Sequence, residues 1–265
     1  AMDTLGLHLP VMVSATVADR SGRILSGQTI PALALTAECY PEVVGIGLNC
    51  SSGPADTAAH IRRLADVSHL YISCHPNAGL PDELGRYAAS PEIFAAEMEP
   101  LLTEGILNIA GGCCGTTPQH IEALAALRDR ATPHRPKPSD HSLSLAGLEP
   151  LKAPEGAFTI VGERCNVAGS RKFLRLIKEE NFDEALQIAA TQVKKGAQVI
   201  DINLDDPLLD TRPAFTRLLR LAGADPDIAR VPFMIDTSDP ETAITALKNL
   251  QGKAIVNSIS LRDGE

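Results

Sequence analysis

Short apolar runs rich in β-branched residues alternate along this chain with stretches of helical period, and that alternation limits the folds available to it. "PVMVSATV" (10–17), "VVGIGLNC" (43–50), "LYISC" (70–74) and "ILNIAGG" (106–112) read as strands. Helical patterns lie between them. One covers Pro54 to Asp66, and one opens at Ser90-Pro91-Glu92 with a serine cap and proline at the first helical position. A third follows Pro118 as "QHIEALAALRDR". The segment 131–156 is rich in proline, serine and charge and reads as a linker running over the surface. The alternation then restarts with "FTIVGERCN" (158–166), "AQVIDINL" (197–204), "VPFMIDTS" (231–238) and "AIVNSIS" (254–260). Helical patterns cover 170–195, roughly 207–222, and 240–250.

Strands that are apolar almost throughout have both sheet faces covered, which is the signature of parallel α/β folds. Four such units on each side of the linker do not close an eight-stranded barrel. Each half is therefore an open sheet or one half of a barrel. Pairing of the two halves into a single eight-stranded barrel is the competing geometry. Polar residues gather at the strand ends: Asn49-Cys50, His75, Cys113-Cys114, Asn166, Asp201 with Asn203, Asp236 and Asn257. Barrel and doubly wound enzymes keep their chemistry there.

A formal charge of −9 disfavours nucleic acid and anionic membrane as partners, and aromatic residues at 3% leave little for base stacking. No apolar run is long enough to span a bilayer, and no secretion signal opens the chain. The expected location is cytoplasmic, where cysteines serve metals or catalysis more than disulfides.

The stretch "GGCCGTTPQH" (111–120) places two thiols side by side. Adjacent residues of a regular strand point to opposite faces, so both can meet one ion only if the flanking glycines release the backbone. Cys50, at the end of "GIGLNC", is the candidate third ligand, and His75 and His120 are alternatives. Three soft ligands without an obvious fourth suit an open zinc site, where the metal would hold a substrate thiol as thiolate. The competing readings are small buried hydrophobes or a strained vicinal disulfide. Cys39, Cys74 and Cys165, each alone, read as buried hydrophobes.

"GLNCSSGP", "HPNAGLP" and "GGCCGTTPQHI" resemble the homocysteine-binding barrel of cobalamin-dependent methionine synthases. "VGERCNVAGSRKFLRLI", "GAQVIDINLDD", "DPDIARVP", "MIDTS" and "QGKAIVNSIS" are similar to the methyltetrahydrofolate-binding barrel of the same family, and "AGLEPL" to its linker. The resemblance implies two tandem (β/α)8 TIM barrels, each partly present: the second half of one over 1–130 and the first half of the next over 157–265, joined by 131–156. It assigns zinc to Cys50, Cys113 and Cys114, with Asn49 beside the homocysteine. It implies a methyltransferase that moves a methyl group from 5-methyltetrahydrofolate through cobalamin to homocysteine. The cobalamin-binding and reactivation modules of the full-length enzyme would lie outside this chain.

On the folate side the resemblance assigns pterin contacts to Asp236 and Asn257, with Asn257 placed to help protonate the folate N5, and to Asn166, Asp201 and Asn203. Asp and Asn pair naturally with the amide edge of a pterin. Gly169, Ser170 and Arg171 open the following helix, where backbone donors and a cation suit a polar or anionic part of folate. Asp201 or Asn203 as simple caps, and Glu163-Arg164 as an ion pair, are the plainer readings. A cobalamin-independent zinc thiol methyltransferase and a non-catalytic fragment are the rival functions.

Overall fold

The computed structural model describes residues 2–19, 21–138 and 142–260. The chain forms two compact units, residues 1–140 and 141–265.

The first unit opens with a short helix α1 (Met2–Leu5), followed by strand β1 (Val11–Ala15) and helix α2 (Ile30–Ala37). Strand β2 (Val43–Asn49), helix α3 (Pro54–Val67), strand β3 (Tyr71–His75) and helix α4 (Pro91–Thr103) come next. Strand β4 (Ile109–Ala110) and helix α5 (Pro118–Ala125) close it. The strands lie in the order β1-β2-β3-β4, all parallel. Side chains alternate across the sheet. Ile46, Leu48, Ile72 and Cys74 enter a core with Ile61, Leu64, Phe94, Met98 and Leu101 from the helices. Full burial of each large apolar side chain is worth roughly 1.5–3 kcal/mol, so Phe94→Ala would be among the costliest changes in this unit. The opposite face carries Gly45, Gly47 and Asn49, whose register partners on β3 are Tyr71, Ser73 and His75. Gly47 has no room for a Cβ, because the Ser73 side chain and carbonyl occupy that space.

Helix starts follow the caps in the sequence. The Ser90 hydroxyl accepts from Ile93 N at 3.3 Å at the head of α4. Thr117 and His120 form a reciprocal box at the head of α5. Helix α2 escapes a periodicity reading because nearly all of "IPALALTA" is buried and no polar face marks it.

The second unit begins with an antiparallel hairpin, β5 (Leu143–Ala146) and β6 (Pro150–Ala153). Then follow β7 (Val161–Asn166), α6 (Arg171–Lys178), α7 (Phe182–Lys194), β8 (Val199–Asn203) and α8 (Thr211–Ala224). Helix α9 (Pro226–Ala229), β9 (Phe233–Asp236), α10 (Pro240–Lys248) and β10 (Ile255–Asn257) complete it. Its parallel sheet has the order β10-β9-β8-β7. Ile200, Ile202, Phe233 and Ile235 bury against Phe173, Leu176, Phe215 and Leu218. Asp201, Asn203 and Asp236 alternate with them and so face the other side.

Three expectations need correction. The segment 131–156 is not a surface linker throughout. Its first part is fixed to the first unit, with Thr132 N donating to Leu102 O at 2.8 Å and His134 N to Leu107 O at 3.0 Å. Its later part is the β5–β6 hairpin, where Leu148 N donates to Ala229 O at 2.8 Å and Ala146 bridges Lys253. The helical pattern over 170–195 is broken into two helices, because Glu180 takes a left-handed φ of 54° and Asn181 caps α7. The strand expected over 106–112 is only Ile109–Ala110. The strands of each half pair within their own sheet, β1–β4 in one and β7–β10 in the other, so they do not close one barrel. The architecture is alternating α/β with parallel sheets, of the kind found in α/β barrels.

Candidate functional sites

At the carboxyl end of the first sheet the backbone leaves regular strand geometry where the cysteines begin. Cys50 and Ser51 follow β2 with φ of 56° and 68°, a left-handed pair without glycine. Such residues cost on the order of 1–3 kcal/mol each and persist only where their surroundings enforce them. Here Cys50 N donates to His75 O at 3.0 Å, Ser52 N to Cys50 O at 2.9 Å, and the Ser51 hydroxyl to Val17 O at 2.6 Å. Cys113 and Cys114 lie beyond β4, in the turn that leads to α5. The loop after β3 grips that turn. Cys113 N donates to Pro76 O at 2.8 Å, Cys114 N to the Asn77 side-chain oxygen at 3.0 Å, and Ala78 N to Cys114 O at 2.9 Å.

These loops bring the three sulfurs together. Cys50 Sγ lies 3.8 Å from Cys114 Sγ, Cys113 Sγ lies 3.9 Å from Cys114 Sγ, and all three fall within 4.8 Å of one another. A tetrahedral ion bound at ~2.3 Å sets its sulfurs ~3.8 Å apart, the spacing of the two shorter pairs, so the cluster is of a size that could hold such an ion. All three cysteines are free thiols, so the pair 113–114 is not a disulfide. The hydrogen bond from Cys113 is the main influence drawing the Cys50 thiol below its usual range, with help from Asn49 and Cys114. The same pairing, with burial, pushes Cys113 up to about 11.

The two histidines stand outside this cluster. His120 is buried, with Nδ1 beside the Thr117 hydroxyl at 2.9 Å and Nε2 beside Ala89 O at 3.0 Å, so both ring nitrogens are engaged. His75 ends β3 half-buried, and burial lowers its pKa. Asn49 accepts from the Ser14 hydroxyl at 2.7 Å and donates to Thr16 at 3.3 Å, which fixes the strand end that carries Cys50. Beside Cys50 opens a cavity of about 420 Å³ with apolar walls from Val17, Leu48 and Leu80 and polar groups from Ser52, Asp56 and His60. That size suits a small ligand. Of the lone cysteines, Cys74 and Cys165 are buried and pushed up to about 12 by burial, as small hydrophobes are. Cys39 departs from that reading: it is exposed, its thiol donating to Leu35 O at 3.4 Å.

The second unit carries a site of another kind. Asn166, Asn203, Asp236 and Asn257 are successive register partners across β7, β8, β9 and β10. They form one straight row at the carboxyl edge of the sheet. Asn166 Nδ2 reaches Asp236 Oδ2 at 3.5 Å, and Asn166 Oδ1 accepts from Ala168 N at 2.9 Å and Gly169 N at 3.1 Å. Asp201 lies two residues before Asn203 on the same face and is only 2% exposed. Its Oδ1 has no hydrogen-bond partner. Burial, and then the charge of Asp236, push its carboxyl up to about 6.

Asp205 ties the loops around this row; it stands in the motif "GAQVIDINLDD" but beyond the strand end. Its carboxylate accepts from the Thr237 hydroxyl at 2.7 Å, Ser238 N at 2.8 Å and the Ser238 hydroxyl at 3.0 Å. Its own N–H donates to Asn203 Oδ1 at 3.0 Å, so Asn203 is partly a loop-tying residue. The expected donors at the head of α6 are in internal use. Gly169 N is taken by Asn166, and the Ser170 hydroxyl accepts from Phe173 N at 3.2 Å. Arg171 stands exposed in the first turn. Glu163 and Arg164 are exposed and form no ion pair with each other. Asn77 and Asp205 are the two site-shaping residues that strand-end reasoning missed, because both sit in loops and act through a neighbour's backbone.

Residues 1–127 match the family model described as homocysteine S-methyltransferase, and residues 162–265 match the one described as pterin binding enzyme. The first unit thus carries a homocysteine S-methyltransferase domain and the second a pterin-binding domain. Among solved structures, pyruvate carboxylase of Rhizobium etli (the T882A form without acetyl coenzyme-A) is 14% identical over 94% of this chain, with a TM-score of 0.29. The carboxyl transferase domain of that enzyme with pyruvate is 15% identical over 94% of this chain, with a TM-score of 0.26. The chain spans 23% and 39% of those two proteins, and likenesses so slight carry no functional argument. Among the described residues no helix is long and apolar enough to cross a membrane.

Proposed function

We propose that this chain is the substrate-binding part of a cobalamin-dependent methionine synthase, which methylates homocysteine at the expense of 5-methyltetrahydrofolate. The observation that carries the reading is the pairing, in one chain, of a three-thiol cluster in a homocysteine S-methyltransferase domain with a pterin-binding domain.

Cys50, Cys113 and Cys114 would hold zinc, whose role when bound is to lower the pKa of a coordinated thiol and keep it nucleophilic at neutral pH. The cavity beside Cys50 would take the amino-acid part of homocysteine, with Asp56 and Ser52 offering acceptors for its ammonium group. In the second unit, Asp236 would accept from the donor edge of the pterin, and Asn257 would both donate and accept. The Oδ1 of Asp201, buried without a partner, would accept one further ring N–H, which turns a cost of burial into recognition. Cobalamin, the methyl carrier of this reading, would be held by a module other than these two domains.

A cobalamin-independent thiol methyltransferase would need the first domain alone. The test is direct. The purified chain should take up one zinc per molecule, bind homocysteine only when loaded, and bind methyltetrahydrofolate with or without the metal. Metal and thiol binding without any affinity for folate would favour the cobalamin-independent reading.

A further inference from the structure

The three cysteines do not come from neighbouring strands. Cys50 follows β2 and the pair Cys113–Cys114 follows β4, while β3 runs between them in the sheet. Two strand spacings separate β2 from β4, roughly 9.5 Å. Yet Cys50 Sγ lies 3.8 Å from Cys114 Sγ. The convergence therefore happens above the end of β3, and the chain that leaves β3 there, Pro76 to Gly79, lies against both cysteine loops.

On one side this segment meets the Cys50 loop. Asn77 N donates to Ser52 O at 3.0 Å. Gly79 packs so near Gly53 that a Cβ on Gly53 would stand 3.2 Å from the Gly79 Cα. On the other side it meets the Cys113–Cys114 turn. Cys113 N donates to Pro76 O at 2.8 Å, and Ala78 N donates to Cys114 O at 2.9 Å. The N–H of Cys114 lies beyond the ladder and needs another acceptor. It finds the Asn77 side-chain oxygen at 3.0 Å. Asn77 is thus bonded to both loops, by its main chain to one and by its side chain to the other. It is only 6% exposed, so the side-chain bond is shielded from competing water.

We propose that Asn77 is a positioning residue for the thiol cluster: it ties the Cys50 loop to the Cys113–Cys114 turn, so that the three sulfurs converge through protein contacts and not through the ion alone. Its effect on zinc rests on the metal-binding reading above. Its effect on the convergence of the sulfurs does not, and the experiment separates the two.

Three forms of the whole chain are compared: the parent, Asn77→Asp and Asn77→Ser. The aspartate keeps an acceptor at the same reach, and the serine hydroxyl ends one bond short of it. Each metal-free protein is treated with phenylarsine oxide, whose arsenic(III) closes a ring on two thiols that are already close, and the joined cysteines are mapped by mass spectrometry. In the parent and in Asn77→Asp the product should join Cys50 to Cys113 or Cys114. In Asn77→Ser it should join Cys113 to Cys114 and leave Cys50 free, because adjacent residues need no outside tie. Zinc affinity, read by competition with a chelator, should fall roughly 10–100-fold in Asn77→Ser, the scale of a lost outer-sphere partner, and recover most of that loss in Asn77→Asp. A parent product confined to Cys113 and Cys114, or an Asn77→Ser product that still joins Cys50, overturns the proposal. So does faster hydrogen exchange of Asn77→Ser spread evenly over the first unit, which would make Asn77 a residue of general stability. If none of the three proteins takes up zinc, the metal reading fails, while the arsenical product still decides the role of Asn77.

Discussion

The two sites are built by opposite means. The thiol cluster lies outside the strands, on loops whose backbone is left-handed at Cys50, Ser51 and Gly115 and whose order depends on neighbouring loops. The polar row lies at the very ends of its strands and is aligned by ladder register alone, from Asn166 through Asn203 and Asp236 to Asn257. A metal needs ligands converging on one point, which a pleated sheet with side chains alternating across it cannot supply. A flat heterocycle needs donors and acceptors along a line, which adjacent parallel strands supply at no extra cost. The first site should therefore be sensitive to loop chemistry, and the second to single polar side chains.

The largest effect that would sharpen this contrast is on metal binding. Cys113→Ser replaces one of the three proposed soft ligands by a poor one. Metal affinity should fall by more than the ~10–100-fold typical of outer-sphere partners, as read by competition with a chelator. Folate binding should not change, since no residue of the second unit is altered. A variant that keeps its zinc would remove Cys113 from the ligand set.

Asp236→Ala tests the converse. Hydrogen bonds to a charged group are worth about 1.5–3 kcal/mol, so methyltetrahydrofolate should bind roughly 10–100-fold more weakly. Metal content measured on the same preparation should remain that of the parent. Parallel loss of both would indicate unfolding of the whole chain and would break the claim that the sites are independent.

How much of this was legible in the sequence differs between the two units in the same way. Seven of the strand readings overlap well with strands of the structure, because buried parallel strands write apolar runs whatever their neighbours are; β4 kept only two residues. The cysteines stood out by residue type, yet Asn77, which holds their turn, acts through a backbone contact that no spacing announces. The polar row was visible as strand-end residues, but the alignment of four of them depends on the stagger between strands, which only the paired sheet defines. The β5–β6 hairpin hid inside a segment whose prolines and serines read as linker, because four-residue strands carry too little pattern to outweigh them.

A smaller effect probes the inner face of the first sheet. Gly47→Ala would place a methyl group against the Ser73 side chain and main chain. Overpacking of this kind costs about 1–3 kcal/mol, and backbone as the obstacle puts it at the upper end of that range. Hydrogen-exchange mass spectrometry, which reads each unit separately, should show faster opening of β2 and β3 and no change in β8 and β9. Equal destabilisation of both units would mean that they do not open independently.

The smallest predicted effect has a pH signature that the thiol site lacks. Burial and the nearby Asp236 charge raise the Asp201 carboxyl from an ordinary 3.8 to about 6 in the folded protein. A group with a raised folded pKa binds its proton more tightly in the native state than in the unfolded chain. Its contribution to stability is therefore fully present below the unfolded value, falls as pH rises, and is lost above about 6. At neutral pH the ionised carboxylate is a net cost, on the order of 1–3 kcal/mol after allowance for water reaching the open end of the sheet. Asp201→Asn keeps the shape and removes the charge. The variant should match the parent near pH 4.5 in its relative stability and exceed it above pH 7, with the gain confined to the second unit. The same exchange measurement at the two pH values decides the matter. A gain that is identical at both would show that Asp201 is not held as an acid by its surroundings. A loss at neutral pH would show that its Oδ1 has a partner after all, in which case the argument that it waits for a pterin N–H fails with it.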